Sequence, residues 1–240
     1  MPTEVVLVKD GKLSNELNRT LETFIHTHPN LIKVLELPIN QGLGKALNAG
    51  LELCSNEIIV RMDSDDICYP NRFEQLVRYI VENPQLSAVG TSIQEFNKMP
   101  GDLRRFRSLP LKYPQLLKFA KYRTPLNHPS VAFRKSHILE VGSYQDMPLF
   151  EDYYLWARII MKGHLIENLE EPLLHFRIGN DMIGRRHGLS YFKKEYAFLK
   201  ASKDIKFINN KEFFLSLIMK FPLRLLPKNQ LEWVYRKILR

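Results

Sequence analysis

The sequence predicts an α/β fold: a mostly parallel, Rossmann-like sheet flanked by helices, with a C-terminal helical tail. Two observations carry this. Short apolar runs alternate with segments of helical period over the first hundred or so residues, the pattern of strand–helix–strand units that builds a parallel sheet. From His187 onward the strand character is gone and the chain reads as helical.

Taken in order, Glu4 to Val8 (EVVLV) is a buried strand closed by the turn signal Asp10-Gly11. Ser14 can cap a helix that runs to Thr27, and Leu31 to Leu37 is the second strand. From Gly42 to Leu53, the residues Leu43, Ala46, Leu47 and Leu51 share one helical face. Glu57 to Met62 is the third strand. A helix can begin near Pro70 and continue to Glu82, ahead of a strand from Leu86 to Phe96. Pro100 to Arg107 reads as a polar, basic loop, Tyr113 to Tyr122 as a short helix, and Ser130 to Arg134 as a strand. Phe150 to Lys162 is a helix with Gly163 just past its end. Leu165 to Arg177 reads as a pair of extended strands around Glu170-Glu171-Pro172.

The 240 residues carry 45% apolar side chains, enough for a sizeable core. The net charge of +9 suggests a polyanionic partner: nucleic acid, a phosphorylated small molecule or an anionic membrane face. Cys54 and Cys68 form no metal-ligand pattern and no disulfide framework, which suits a reducing cytoplasm. No signal peptide opens the chain, and no window reaches the roughly 18 apolar residues of a spanning helix. The expected location is cytoplasmic. Nothing resembles a nucleic-acid-binding motif, and acids cluster where a ligand would sit.

That cluster is Asp63, Asp65 and Asp66, at the end of the third strand. Ligands of open α/β sheets bind outside the carboxyl ends of the strands. Three carboxylates there repel unless a cation sits among them, and hard oxygen ligands suit Mg²⁺ or Mn²⁺. Residues 63 and 65 share a side in extended backbone. The plainer reading is a helix N-cap, which Asp66 alone could supply. A second acidic pair, Glu151-Asp152, opens an amphipathic helix, where acids also serve simply to complement the helix dipole.

The run Asn40 to Leu51 (NQGLGKALNAGL), the strand after it and Asp63 to Phe73 (DSDDICYPNRF) closely resemble family 2 glycosyltransferases of the GT-A fold. Glu151 to Gly163 (EDYYLWARIIMKG) matches the same family, and Arg177 to Arg186 (RIGNDMIGRR) does so more loosely. The likeness spans residues 4 to about 190 and is strongest to bacterial enzymes of O-antigen, capsule or exopolysaccharide assembly. It implies a glycosyltransferase domain over 1–190 and a helical extension over 191–240. Family members begin with a further strand and helix; this chain reads as opening at the second strand of their pattern, and a truncated, non-catalytic relative is the alternative function.

The resemblance implies a nucleotide-sugar donor, UDP-linked, and an inverting transfer to a glycan or polyprenyl-diphosphate-linked acceptor. A polyprenyl-linked acceptor would add a peripheral place at the inner face of the cell membrane. Asp65 would bind the Mn²⁺ or Mg²⁺ that bridges the diphosphate, with Asp63 on ribose or a metal-bound water and Asp66 holding the turn. Asp152 would be the base, with Glu151 beside it as the fallback. Asp10 reads equally as a base contact or a turn aspartate, since this chain has KDGK (Lys9 to Lys12) where many members have DDGS. Lys45 reads as a nucleotide contact or a solvated charge, and His128 as an acceptor residue or a loop end. His175 would supply a third metal ligand or a phosphate contact. Arg185 and Arg186 could close over the diphosphate, or form a solvated basic turn. The basic, aromatic-bearing segment from Lys211 to Arg240 suits an anionic bilayer surface, a helical cap or a dimer contact.

Overall fold

A computed structural model describes residues 2–178, 186–227 and 230–231. Strands β1 (Val5–Asp10) and β2 (Ile32–Leu37) pair in parallel, Val5 opposite Ile32 and Asp10 opposite Leu37. Helix α1 (Asn15–Thr27) links them, and Ser14 caps it by accepting from the Leu17 amide at 3.3 Å. Helix α2 (Leu43–Leu53) lies on β1. It can approach because residue 50 is glycine: a Cβ there would stand 2.8 Å from Val8 Cγ2.

The larger sheet runs in the order β3 (Ile58–Val60), β7 (Ala132–Arg134), β5 (Leu86–Phe96), β8 (Leu165–Arg177), β4 (Ile67–Cys68). Parallel pairing, expected for most of the sheet, holds for β1–β2 and β5–β8; the pairs β3–β7, β5–β7 and β4–β8 are antiparallel. Strand β6 (Arg105–Arg107) shares the β7 edge of β5, farther along, so the segment read as a basic loop ends in a short strand. Its Arg105 bonds the buried Glu95 at 2.6 Å, which fixes the strand there. Strand β8 is one strand, not two. Pro172 has no amide to give, and the register against β5 shifts there, between Thr91 and Ile93, instead of breaking.

Helix α3 (Arg72–Glu82) covers one sheet face over a small cluster of Leu76, Ile80, Leu86, Val89, Ala132 and Leu173. The larger core lies on the other face, centred on the fully buried Trp156. It is closed by α4 (Tyr113–Ala120), α5 (Lys135–Glu140), α6 (Glu151–Met161) and the tail helix α7 (Gly188–Asp204). Helix α8 (Asn210–Leu225) packs on α7, and Asn209 and Glu212 form a reciprocal capping box at its start. The two-residue β4 and six-residue α5 are too short to show a period, and the sequence reading passed over both.

Candidate active site

Beyond β3 the chain stays on β7 for one more residue, the Arg61 amide donating to the Val131 carbonyl at 3.0 Å. It then turns through the three aspartates. Asp63 forms an ion pair with the buried Arg61. Asp65 is exposed, and Asp66 is buried. Asp66 does not cap a helix: its Oδ1 accepts from the Arg177 amide at 2.8 Å, tying the turn to the end of β8. The Arg177 guanidinium adds a bond to the Asp65 carbonyl at 3.0 Å and lies over the Phe96 ring at 4.4 Å.

One oxygen from each aspartate lies within 4.8 Å of the others. Burial pushes the Asp63 carboxyl up, the Asp65 charge adds to this, and Arg61 opposes it. Burial pushes Asp66 up to about 7, with the neighbouring carboxylates adding to it. Its Oδ2 is buried without a hydrogen-bond partner, an unmet cost that a cation would remove. The donor set of three carboxylates fits a hard divalent ion.

Arg72, fully buried at the start of α3, fastens this turn to the rest of the site. It donates to the Arg61 carbonyl at 2.5 Å and to the Pro129 carbonyl at 2.8 Å. Pro129 lies in a 3₁₀ turn, His128–Ser130. There His128 is buried, its Nε2 2.8 Å from the Tyr144 hydroxyl and its ring edge-on to Trp156. Burial, with the Arg61 charge, holds His128 well below its usual range, so it is neutral. Asn48 of α2 and the Tyr144 backbone exchange two bonds, at 2.8 and 2.9 Å. A Cβ at Gly44 would lie 3.2 Å from Glu151 Cγ, so the start of α2 abuts the start of α6.

Glu151 and Asp152 occupy the first turn of α6, whose preceding residue, Phe150, offers no side-chain cap. Free amides and the helix dipole therefore face both acids. Burial pushes both carboxyls up all the same. For Asp152 the Tyr153 amide and the charges of Arg61 and Arg186 pull the other way. Arg61 thus acts on Asp63 and Asp152 together. The arrangement can do two things: hold a cation at an exposed turn, and keep a carboxylate of raised basicity nearby for a proton.

Other sequence-selected residues are placed as follows. Asp10 accepts from the Gln41 and Gly42 amides at 2.7 and 3.1 Å, fixing the loop into α2. Lys45 is exposed on α2. His175 lies outside the aspartate cluster: its ring stacks on Tyr69 at 4.2 Å and meets Phe96 edge-on. His128 is spent on Tyr144 inside the protein, with 7% of its surface exposed. Arg186 acts on Asp152, whereas Arg185 falls outside the described residues. Sequence reasoning missed Arg72 and Tyr144, because each works through backbone carbonyls or a partner far along the chain and forms no motif.

A family model described as Glycosyl transferase family 2 matches residues 1–142. The amylovoran biosynthesis glycosyltransferase AmsE of Erwinia amylovora is 39% identical over 237 residues, 98% of this chain and 86% of that protein. An Escherichia coli protein, UDP-Gal:alpha-D-GlcNAc-diphosphoundecaprenol beta-1,3-galactosyltransferase, is 35% identical over 243 residues, 100% of this chain and 86% of its own. Among solved structures, S. aureus TarS in complex with UDP-GlcNAc superposes with a TM-score of 0.66 at 17% identity, covering 98% of this chain and 71% of that one. The mannosyltransferase PcManGT of Pyrobaculum calidifontis, in complex with GDP-Man and Mn²⁺, gives 0.59 at 17% identity, covering 97% and 70%. These two share the fold.

Proposed function

The chain belongs to glycosyl transferase family 2, with the GT-A fold and a glycosyltransferase activity, and from that premise we propose the reaction it performs. It moves a sugar from a UDP-linked donor to a lipid-linked sugar acceptor, with inversion, in cell-surface polysaccharide synthesis at an anionic membrane face. The carrying observation is the pair of acidic features that share Arg61: the aspartate turn and Asp152. The relatives named for amylovoran synthesis and for a diphosphoundecaprenol acceptor support the substrate classes.

Asp63 and Asp65 would hold a Mn²⁺ or Mg²⁺ ion, with the unpartnered oxygen of Asp66 as the third ligand. Such an ion supplies positive charge for a departing diphosphate. Asp152 takes the proton from the acceptor hydroxyl as that oxygen attacks the anomeric carbon. The carbon–oxygen bond to the diphosphate breaks, and its electron pair leaves with the nucleotide. Arg61 keeps Asp63 oriented, and Arg186 adds positive charge beside Asp152. Asp10, through the loop it fixes into α2, and the exposed Lys45 would serve the nucleotide.

Calorimetric titration with UDP, with and without Mn²⁺, tests the donor site. Binding should need the metal and vanish in Asp65→Ala. Asp152→Asn should keep UDP binding and lose transfer by about 10² to 10⁴-fold. Full turnover by that variant would sink the assignment of the base.

A further inference from the structure

Helix α8 is turned inside out. Every exposed residue along Asn210–Leu225 beyond its first turn is apolar. Phe214, Ile218, Phe221 and Leu225 repeat at steps of four, three and four, and so form one stripe; Leu215 and Met219 widen it. Ile218 is 71% exposed, Phe214 59% and Leu225 51%. Beyond the first turn, the two cations of the same helix, Lys220 and Arg224, point the other way. Arg224 bonds the buried Glu195 of α7 through Nε and Nη2 at 2.8 and 3.0 Å, and Lys220 reaches it at 3.3 Å. Burial would raise Glu195, but these two partners hold it below the usual carboxylate range. A helix that turns Lys220 and Arg224 onto a buried acid and presents its large apolar residues outward is built to be covered.

The neighbouring helix suggests by what. Phe192 meets Phe221 at 4.6 Å, Tyr196 meets Phe213 at 6.0 Å, and Lys203 lies over Phe213 at 5.2 Å, so this row of α7 borders α8. Lys200 follows Tyr196 by one helical turn, and Lys193 precedes Lys200 by two; both are exposed. The sequence beyond, residues 228–240, adds Lys228, Arg236, Lys237 and Arg240 against one acid, Glu232. An apolar stripe edged by lysines complements an anionic bilayer, where acyl chains take the stripe and headgroups take the cations. Against a second copy, the same lysines would face each other. Among the described residues no helix is long and apolar enough to cross a membrane.

We propose that the α8 stripe, with the Lys193–Lys200 edge of α7, lies on the surface of an anionic bilayer. This deepens the lipid-linked acceptor reading and rests on it for its purpose, though not for its physical basis. The test is flotation of the full chain with phosphatidylcholine vesicles, with or without phosphatidylglycerol. The wild type should float with the anionic vesicles. Phe214→Ser with Ile218→Ser, both at exposed positions, should lower partitioning at least about tenfold. Lys193→Gln and Lys200→Gln should each cost about fivefold on anionic vesicles only. UDP titration of each variant runs alongside. Retained UDP binding shows a folded domain, and vesicle binding without UDP binding would fault the donor reading while supporting this one. Failure of the wild type to float would overturn the proposal. So would light scattering that shows a dimer which the serine variant splits.

Discussion

Strands β1 and β5 are both flanked by helices, yet they are buried to different degrees. Every residue of β5 except Gln94 is buried, and β8 runs the length of one of its edges. No residue of β1 is fully buried, and α1, the helix that follows it in the chain, buries none at all. The front unit, β1–α1–β2, is held at its base by Glu4, which accepts from the Ser55 and Asn56 amides and pairs with Lys33. At its far end Asp10 grips the loop into α2. The comparison separates two tasks. The β5–β8 body supplies the stability, while the front unit sets the position of the α2 N-terminus beside Glu151.

The sharpest test of that division is thermodynamic. Trp156→Ala, in the body, should cost about 3–5 kcal/mol in urea unfolding, whereas Leu17→Ala on the exposed face of α1 should stay within about 0.5 kcal/mol. Equal losses would break the comparison. Arg72→Met should come next. It strands the Arg61 and Pro129 carbonyls, costing about 1–3 kcal/mol for each left unsatisfied, and it should lower kcat while loosening the aspartate turn. Asp10→Ala leaves two amides without their acceptor, at about 1–2 kcal/mol in total. If the front unit only positions the site, its larger effect will be on KM for the donor.

The smallest effects are in pH. The raised Asp152 carboxyl should place the acid limb of kcat/KM above the ordinary aspartate value of 3.8, because the base works only when ionised. Asp66, pushed up to about 7, favours its acid form in the fold. The metal-free protein is therefore most stable with Asp66 protonated, and loses that stability as pH rises from 3.8 through about 7. Mn²⁺ affinity should move the opposite way, rising as pH passes about 7, with proton release visible by titration in buffers of different ionisation enthalpy. An affinity flat in pH would remove Asp66 from the ligand set.

The sequence made legible whatever repeats locally. Helices α1, α2, α3 and α6 and the strands β1, β2 and β5 follow from period and caps, and the aspartate cluster and Glu151-Asp152 stand out as charge where charge is costly. What it hid depends on residues far apart in the chain. The antiparallel placing of β7 is set by pairing, not by its own three residues. The service of Asp66 to Arg177 joins positions 111 residues apart. The family resemblance implied a metal or phosphate contact for His175; its ring stacks on Tyr69, a neighbour that no spacing in the sequence reveals. The stripe on α8 was visible as alternation, but its outward direction depends on Glu195.

The pairing of β5 with β8 also has a kinetic side. Leu86 finds its partner in Leu165, and β6, α4, β7, α5 and α6 all intervene. Asn48 and Tyr144 close a loop of similar size, 96 residues apart. Contacts this distant in sequence slow folding, since chain entropy is lost before they form. During synthesis β5 must wait, its long edge open, until β8 leaves the ribosome. A chain stopped before Leu165 would offer that edge to other strands.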